Sequence, residues 1–400
     1  MASAIKLTNN SQETFAQNLF GSNTYFAIPI FQRPYKWSKS TLEEFQTDLI
    51  KIYSEQETHF LGAIILSDEI TSPSEPRKFS IIDGQQRLTT IFLFMCAAVK
   101  LLAQNGKEAE AASYILKYLV GGTASGSSNI LLQPSLRDRA QLNAIMDDIY
   151  KLRHLKSSLA PVGLKKLSTP TGSISKGRMW DNYKHFDKFL KNQKKMDGDR
   201  IEVVESILSG ALQYLSLVQI VVNDPTTGPT IYNSLNSKQE PMTIGELVKN
   251  GIFSKAADRP ADEIEQLEEF VWRPFFDKFT VNNTSYFDRY FFPFGLTKDQ
   301  NVKKQDTFTT LQRQWARVVD PVAIIDDLQK YQDVFLDIHC GTDYLSVGKN
   351  LKTNIKNLHE MNAPASLLPF VMQLVDQVSA KYVSEAVACE ILDVIESFLV

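Results

Sequence analysis

The stretch SIIDGQQRLTTIFLF, residues 80–94, constrains the fold more than any other part of the sequence. An apolar run ends at Asp83, and Gly84 follows it as a turn residue. From Leu88 to about Gln104 the apolar residues follow the pattern of a buried helix, which Gly106 stops. The stretch therefore predicts a strand, a sharp turn and a core helix.

The turn concentrates polar groups, and two interpretations of them are open. The first N–H groups of a helix lack intrahelical partners and carry partial positive charge, so a phosphate fits there. Arg87 would then be a bidentate donor, Gln85 and Gln86 further donors, and Asp83 a ligand for Mg²⁺ or a partner of the attacking water. Alternatively, Asp83 is an N-cap, Gly84 a turn residue and Arg87 a surface charge. The sequence contains no GxxxxGK[ST] or GxGxxG motif, which excludes an ordinary P-loop or Rossmann site.

A second group of polar and aromatic residues is IPIFQRPYKW, residues 28–37. Gln32, Arg33, Tyr35 and Trp37 place amide, guanidinium and ring groups around a proline. Such a mixture suits a pocket that stacks a flat ring while Arg33 contacts phosphate. The alternative is a core strand in which the aromatic rings only pack.

The third group lies in TIYNSLNSKQEPMTIGELVKN, residues 230–250. Asn233 and Asn236 are three residues apart, so on a helix both amides face one side. Thr243 and Glu246 have capping-box spacing, and Lys249 follows one turn later. The paired asparagines could read a base or sugar edge, or they could cap a break in the helix.

The pattern of strands and helices predicts an α+β protein of three parts. Residues 1–120 mix strands and helices as an α/β domain. Residues 121–178 begin with GGTASGSS and read as a flexible basic linker, and residues 179–400 read as mainly helical. One returning strand is expected at QYLSLVQIVV.

Charge gives a local rather than a global indication of nucleic-acid binding. The formal net charge is −3, but residues 151–200 contain 13 Lys and Arg against four Asp. Lys165, Lys166 and Arg178 belong to this run and are candidate phosphate contacts. A solvated helical face is the alternative.

Three widely spaced cysteines, Cys96, Cys340 and Cys389, indicate thiols of a reducing compartment. The N-terminus lacks a signal-peptide pattern, and the longest apolar run, IFLFMCAAV, is too short to span a bilayer. We therefore expect a cytoplasmic protein that does not enter a membrane.

The motifs IPIFQRPYKW, HFLGAIIL, IIDGQQRLTT, IYNSLNS, PMTIGELVKN and ILDVIESFL occur in the order and spacing of domain of unknown function family 262. Over nearly its whole length the sequence resembles this family, the GmrS-type domain of GmrSD restriction systems and of SspE-like phosphorothioate-sensing proteins. The resemblance implies a ParB/sulfiredoxin-like α/β domain followed by a helical domain. It also implies an effector against phage or foreign DNA.

The resemblance also implies roles for individual residues. Asp83, Gln86 and Arg87 would form the catalytic part of a nucleotide and hydrolysis motif, with Mg²⁺ and GTP or a similar triphosphate as cofactors. The other predicted nucleotide-binding residues are Gln32, Arg33, Gly84, Gln85, Asn233, Asn236 and Lys249. The predicted contacts to modified DNA are Pro29, Phe31, Tyr35, Trp37, Lys165, Lys166 and Arg178.

The sequence departs from the family pattern in two places. Glu246 stands where most relatives have Asp, which preserves the charge. Many relatives continue into an HNH-type nuclease, whereas the five histidines here show no His–Asn–His site. We therefore expect a chain truncated before a C-terminal nuclease domain, or a nuclease on a separate subunit.

Three functions compete at this point. The first is an NTP-hydrolysing sensor that couples nucleotide and modified DNA, phosphorothioate or glucosylated or hydroxymethylated, to a nuclease. The second is a module that binds modified DNA without NTP turnover. The third is an interaction scaffold whose polar turn is only a helix cap. A homo-oligomer is compatible with each.

Overall fold

The computed structural model divides the chain into two compact units, residues 1–241 and 242–400. Each unit has its own core and is described by itself. The residues that the structure describes are 11–29, 32–69, 76–122, 127–152, 155, 163–169, 172–222, 243–256 and 259–399.

The first unit is built on a mixed sheet of six strands in the order β1-β9-β3-β4-β2-β7. β4 runs parallel to β2 and antiparallel to β3, while β9 runs parallel to β3 and antiparallel to β1. A smaller sheet has the order β5-β6-β8. The strands are β1 (Ser11–Phe15), β2 (Tyr25–Ala27), β3 (His59–Glu69), β4 (Lys78–Asp83), β5 (Val120–Gly122), β6 (Ser127–Ile130), β7 (Leu132–Gln133), β8 (Gly163–Leu164) and β9 (Leu215–Val222).

Helices of the first unit pack around one of their number, α3. The helices are α1 (Ala16–Phe20), α2 (Lys39–Glu55), α3 (Gln85–Gln104), α4 (Glu108–Tyr118), α5 (Arg139–Tyr150), α6 (Arg178–Met196) and α7 (Glu202–Tyr214). Every side chain of α3 from Leu88 to Ala103 is buried. Lys100 lies within this run, and its ammonium is 2.7 Å from Asp148. The buried pattern predicted for this segment is confirmed.

The length and apolarity of α3 would also suit a membrane span. However, 94% of its apolar window is buried inside the unit. Among the described residues no other helix has this length and apolarity. In this fold α3 is the central core helix, covered by the other elements.

Much of the segment predicted as a linker, where the structure describes it, belongs to the first unit. Helix α5 contributes Leu142, Ile145 and Ile149 to the core, and β5 and β6 pair with each other. Helices α6 and α7, predicted to open the helical domain, pack against α3 as well. The division near residue 241 therefore differs from the predicted boundaries at 120 and 178. An apolar stripe shows that a helix packs, but not against what.

The described residues of the second unit are helical apart from one short hairpin, β10 (Thr280–Val281) with β11 (Thr284–Ser285). A π-helical segment, Leu267–Trp272, joins α9 to α10. Trp272, Phe275 and Phe287 pack edge to face in its core. The helices are α8 (Ile244–Ser254), α9 (Ala261–Gln266), α10 (Arg273–Asp277), α11 (Phe287–Lys298), α12 (Thr307–Gln314), α13 (Pro321–Gln329), α14 (Gln332–Cys340), α15 (Lys349–Glu360), α16 (Leu368–Ser379) and α17 (Glu385–Leu399).

Local sequence signals predicted several elements correctly. The strand predicted to end at Asp83 is β4, and the returning strand expected at QYLSLVQIVV is β9. The capping box at Thr243 and Glu246 is present at the start of α8. Helix α2 begins at Lys39, with Ser38 as its N-cap.

Candidate functional site

The turn between β4 and α3 leaves backbone N–H groups without acceptors. Gly84, rather than Asp83, is the N-cap, with φ of 90° and no side-chain hydrogen bond. The first helical hydrogen bond runs from Leu88 N to Gly84 O, 3.0 Å. Within the described part of the chain, the N–H groups of Gln85, Gln86 and Arg87 have no acceptor. These three donors sit at the positive end of the helix dipole.

Only glycine fits at the N-cap of α3. A Cβ atom on Gly84 would lie 2.5 Å from Cγ2 of Ile64, and φ of 90° is unfavourable for other residues. A glycine followed by helical residues turns successive N–H groups toward one point, an arrangement that binds anions. The turn is therefore specified by β3 as well as by its own sequence.

Arg87 is fixed against the beginning of β3. Its Nη1 donates to Ala63 O at 3.0 Å and lies 3.8 Å from Oδ2 of Asp83. Both side chains are 18% exposed. In β3, Phe60 pairs with Ser216 and Ala63 with Val218 of β9. Two residues of β3, Leu61 and Gly62, therefore lie opposite one residue of β9, which is a bulge. Gly62 has φ of 116°, and a Cβ on it would lie 3.0 Å from Nε of Arg87.

Gln32 supports the strand end that carries Asp83. The β3–β4 register shifts so that Ile82 is the extra residue between the pairs of Ile81 and Asp83. The Gln32 amide donates to Ile81 O at 2.6 Å and to Ile82 O at 3.0 Å. Its amide nitrogen therefore satisfies carbonyl groups that this bulge exposes. The structure places Gln32 beside the turn, as predicted, in a supporting position.

Gln86 fastens the segment 32–37 to the first turn of α3. Its Oε1 accepts a hydrogen bond from Lys36 N at 2.8 Å, and its Nε2 donates to Pro34 O at 3.3 Å. Both amide atoms are thus occupied by backbone groups. We predicted a catalytic role for Gln86, and these contacts favour a positioning role instead.

Tyr35 lies inside the protein and is 4% exposed. Its hydroxyl is 2.7 Å from the Thr90 hydroxyl and accepts from Asn182 Nδ2 at 3.2 Å. Its N–H donates to Asp138 Oδ2 at 2.8 Å. Burial raises the pKa of Tyr35 to about 12, while the positive charge of Arg178 is among the smaller effects that lower it. The burial argues against direct stacking of Tyr35 on DNA.

Asp138 is a buried carboxylate beneath this segment. It is 4% exposed and accepts from Tyr35 N, from the Ser135 hydroxyl at 3.0 Å and from Gln141 Nε2 at 3.3 Å. Burial raises its pKa to about 6, and the hydrogen bonds from Tyr35 and Ser135 oppose that shift. The segment 32–37 therefore rests on a polar network formed with α3, α5 and α6.

Two predicted nucleotide contacts near the turn have unused polar groups. Gln85 is 9% exposed, and its side-chain amide has no hydrogen-bond partner among the described residues. The half-buried Arg33 makes no ion pair or side-chain hydrogen bond within the described ranges. As far as the described residues show, both groups keep hydrogen-bonding capacity for a ligand.

The remaining predicted contacts in the first unit are spread over its surface. Trp37 is half-buried and packs edge to face on Phe45, with ring centroids 6.3 Å apart, and Pro29 is also half-buried. Lys166 pairs with Asp147 at 2.7 Å. Lys165 and Arg178 are exposed and have no ion pair among the described residues.

Lys249 lies in the second unit, on α8. Its ammonium is 2.9 Å from Glu268, which is 1% exposed, and it also lies over the ring of Trp272. The predicted nucleotide contact is therefore part of a buried ion pair of that unit. Phe31, Asn233 and Asn236 lie outside the described residues.

Sequence reasoning missed Gly62, Asp138 and Asn182. The isolated glycine in the apolar strand HFLGAIIL was the available signal for a bulge. No comparable signal marked Asp138 or Asn182, because their partners are distant in the sequence. Among the described residues no cluster of three or more His, Cys, Asp or Glu could hold a metal ion.

Comparison with known families identifies the chain. Residues 16–253, more than half of it, match the family described as GmrSD restriction endonuclease, N-terminal domain. No curated protein matches the sequence. The match confirms the GmrSD part of the predicted resemblance, and the ParB-like fold stays a prediction. The chain therefore belongs to the GmrSD restriction endonuclease family, through its N-terminal domain, and is a restriction-type defence protein.

Proposed function

We propose that the chain binds and hydrolyses a nucleoside triphosphate, GTP or a similar one, and is the sensor of a modification-dependent restriction system. The observation that carries the proposal is the start of α3, where three N–H groups lack acceptors among the described residues. Gln85, which is 9% exposed and whose amide has no hydrogen-bond partner among the described residues, lies at the same turn. Donors without acceptors at a positive helix end favour a bound anion.

The two arginines near the turn suit the phosphates of such a ligand. Arg87 donates one N–H to Ala63 O, and a guanidinium carries five N–H donors in a planar fork. Arg33 has no partner within the described ranges. In the proposed complex Arg87 offsets the charge of the transferring phosphoryl group and Arg33 binds a further phosphate.

Asp83 is the acidic residue of the turn and fits a magnesium ion. Proteins commonly hold Mg²⁺ through one or two carboxylates together with phosphates of the substrate. Bound there, the ion would neutralise phosphate charge. Asp83 itself would hold the ion or orient the attacking water. Its Oδ2 is 3.8 Å from Nη1 of Arg87, so the two charged groups could bind different parts of the ligand.

The segment 32–37 would sense the DNA modification. Gln86 and Gln32 connect it to the turn, and Asn182 donates to Trp37 O at 3.0 Å and so connects it to α6. Exposed Arg178 at the start of α6 would contact DNA phosphate. DNA binding at this segment would thereby change the geometry of the turn and, through it, the activity of a nuclease in the same chain or a separate subunit.

The direct test is phosphate release from GTP and ATP with Mg²⁺, measured for the wild type and for Asp83→Asn. Asp68→Asn is the matched control, because Asp68 also lies in the central sheet but pairs with Arg77 at its surface. We expect release by the wild type and the control, and a loss of at least about 100-fold for Asp83→Asn. Equal rates for all three proteins, or no release from any, would remove hydrolysis from the proposal.

A second candidate function is recognition of modified DNA without NTP turnover. It is favoured by the contacts of Gln86, whose amide oxygen and nitrogen each bond a backbone group of residues 34–36 and so hold that segment in place. This candidate predicts DNA binding that weakens steeply with salt, and a smaller salt dependence for Arg178→Ala. Tight DNA binding without phosphate release would favour it over the first.

A further inference from the structure

Phe60 is an exposed aromatic side chain at the start of an otherwise half-buried or buried strand. It is 58% exposed, whereas Ile64, Ile65 and Leu66 of the same strand are at most 1% exposed. Among the described residues of the first unit, the other aromatic side chain exposed by more than a third is Tyr53, at 37%. Leaving a phenyl ring in water forgoes the burial energy that the core of this unit gains elsewhere.

The bulge in β3 relates Phe60 to the turn. Phe60 pairs with Ser216 of β9. The next two residues, Leu61 and Gly62, form the bulge, and regular pairing resumes at Ala63. The Cβ position of Gly62 is 3.0 Å from Nε of Arg87. At a rise of about 3.3 Å per residue, the Cα atoms of Phe60 and Gly62 are roughly 7 Å apart. A nucleotide whose phosphates contact Arg87 spans such a distance with its sugar and base.

A base also needs a surface that the turn itself does not offer. The turn presents N–H groups, an amide, a carboxylate and guanidinium groups, all of which suit phosphate or metal. An open aromatic ring offers the flat apolar face on which any base stacks, and a purine covers more of it than a pyrimidine. Phenylalanine has no hydrogen-bonding group, so it would select for ring area and not for base edges.

We propose that Phe60 stacks on the base of the bound nucleoside triphosphate and gives the site a preference for purines. This inference rests on the proposed nucleotide site at the start of α3. It assigns the phosphates to the turn and the base to the start of β3, so each half of the ligand has its own determinant.

The test is calorimetric titration of the full chain with GTP, ATP, UTP and inorganic tripolyphosphate, each with Mg²⁺. The variants are Phe60→Ala, Phe60→Trp and, as a matched exposed aromatic on α2, Tyr53→Ala. We expect Phe60→Ala to weaken GTP and ATP about 10-fold or more, as lost stacking predicts, and to leave tripolyphosphate unchanged. Phe60→Trp and Tyr53→Ala should keep wild-type affinity for purine nucleotides.

Three results would overturn the inference, and they are distinguishable. Unchanged GTP affinity in Phe60→Ala, with tripolyphosphate still bound, would refute stacking and leave the phosphate site standing. Failure of the wild type to bind either a nucleotide or tripolyphosphate would refute the proposed function and the inference together. An equal loss of nucleotide and tripolyphosphate in Phe60→Ala would also refute it, because the ring would then support the turn.

Discussion

Helices α3 and α8 differ in how their first N–H groups are satisfied, because only α8 carries a capping side chain at its N-terminus. In α8, Thr243 Oγ1 accepts from Glu246 N at 3.3 Å and Glu246 returns a hydrogen bond to Thr243 N at 3.1 Å. Gly245 N donates to Asp288 at 2.8 Å. In α3 the N-cap is a glycine with no side chain, and the described residues provide no acceptor.

The comparison separates polar residues that complete the fold from those that remain available to a ligand. At α8 the polar side chains of Thr243, Glu246 and Lys249 all have partners within the second unit, Lys249 by pairing with Glu268. At α3 the first three N–H groups, the Gln85 amide and Arg33 have no hydrogen-bond partner among the described residues. We therefore expect the N-terminus of α3 to bind an anion and the N-terminus of α8 to contribute only to stability.

The largest expected effect is on stability, in Lys249→Ala. The substitution leaves the carboxylate of Glu268, 1% exposed, without its cation. Breaking a buried pair in this way should lower the free energy of unfolding by about 3–5 kcal/mol. Urea unfolding of Lys249→Ala and of the double variant Lys249→Met, Glu268→Leu measures it, and the double variant should recover part of the loss. Full stability with lost nucleotide binding would place Lys249 in the ligand site after all.

The next effect is a pH dependence from Asp138. Its pKa is raised from 3.8 to about 6 by burial, so the folded state holds a proton that the unfolded state has released. The free energy of unfolding should therefore fall as pH rises from about 4 to 6, by at most roughly 3 kcal/mol, and stay low above that. Asp138→Asn should lack this fall.

Unfolding of both proteins at pH 4, 5, 6 and 7 measures the difference. The wild type should lose stability relative to Asp138→Asn across that window. A constant difference would show that Asp138 titrates near its ordinary pKa.

The smallest effects come from the two helix starts themselves. Gly84→Ala forces a Cβ to within 2.5 Å of Ile64 at φ of 90°, and should cost about 2 kcal/mol and abolish tripolyphosphate binding. Thr243→Ala removes a cap and should cost about 1 kcal/mol without changing anion binding. Unfolding and titration of both variants test the comparison. Equal retention of binding would show that α3 is no more an anion site than α8.

Local sequence patterns predicted the elements that carry the site. β4, the turn at Gly84 and α3 follow from an apolar run, a glycine and helical periodicity within 25 or so neighbouring residues. The capping box of α8 could be read from two residues alone. These features are determined by residues close to them in the sequence, so local sequence patterns are sufficient to predict them.

Contacts between distant segments could not be predicted in this way. The buried Tyr35 hydroxyl accepts a hydrogen bond from Asn182, which is 147 residues away in the sequence. No residue pattern near Tyr35 could therefore predict its burial. Lys249 is predicted as a ligand contact from its motif alone, whereas its partner in the structure is Glu268, 19 residues further on. The boundary between the units likewise depends on where α6 and α7 pack. Their amphipathic patterns predict a buried face but do not identify the element that covers it.

The burial of α3 along nearly its whole length has a consequence for how ligand binding would be felt. A helix with that many core contacts does not open on its own, so its amide hydrogens should exchange only when the whole unit unfolds. A ligand on its first turn would then stabilise the entire unit, by about 2.7 kcal/mol at a concentration 100 times its Kd. Ligand binding at the turn would therefore be detectable as slower hydrogen exchange along the whole of α3, because the same helix holds the ligand and forms the core.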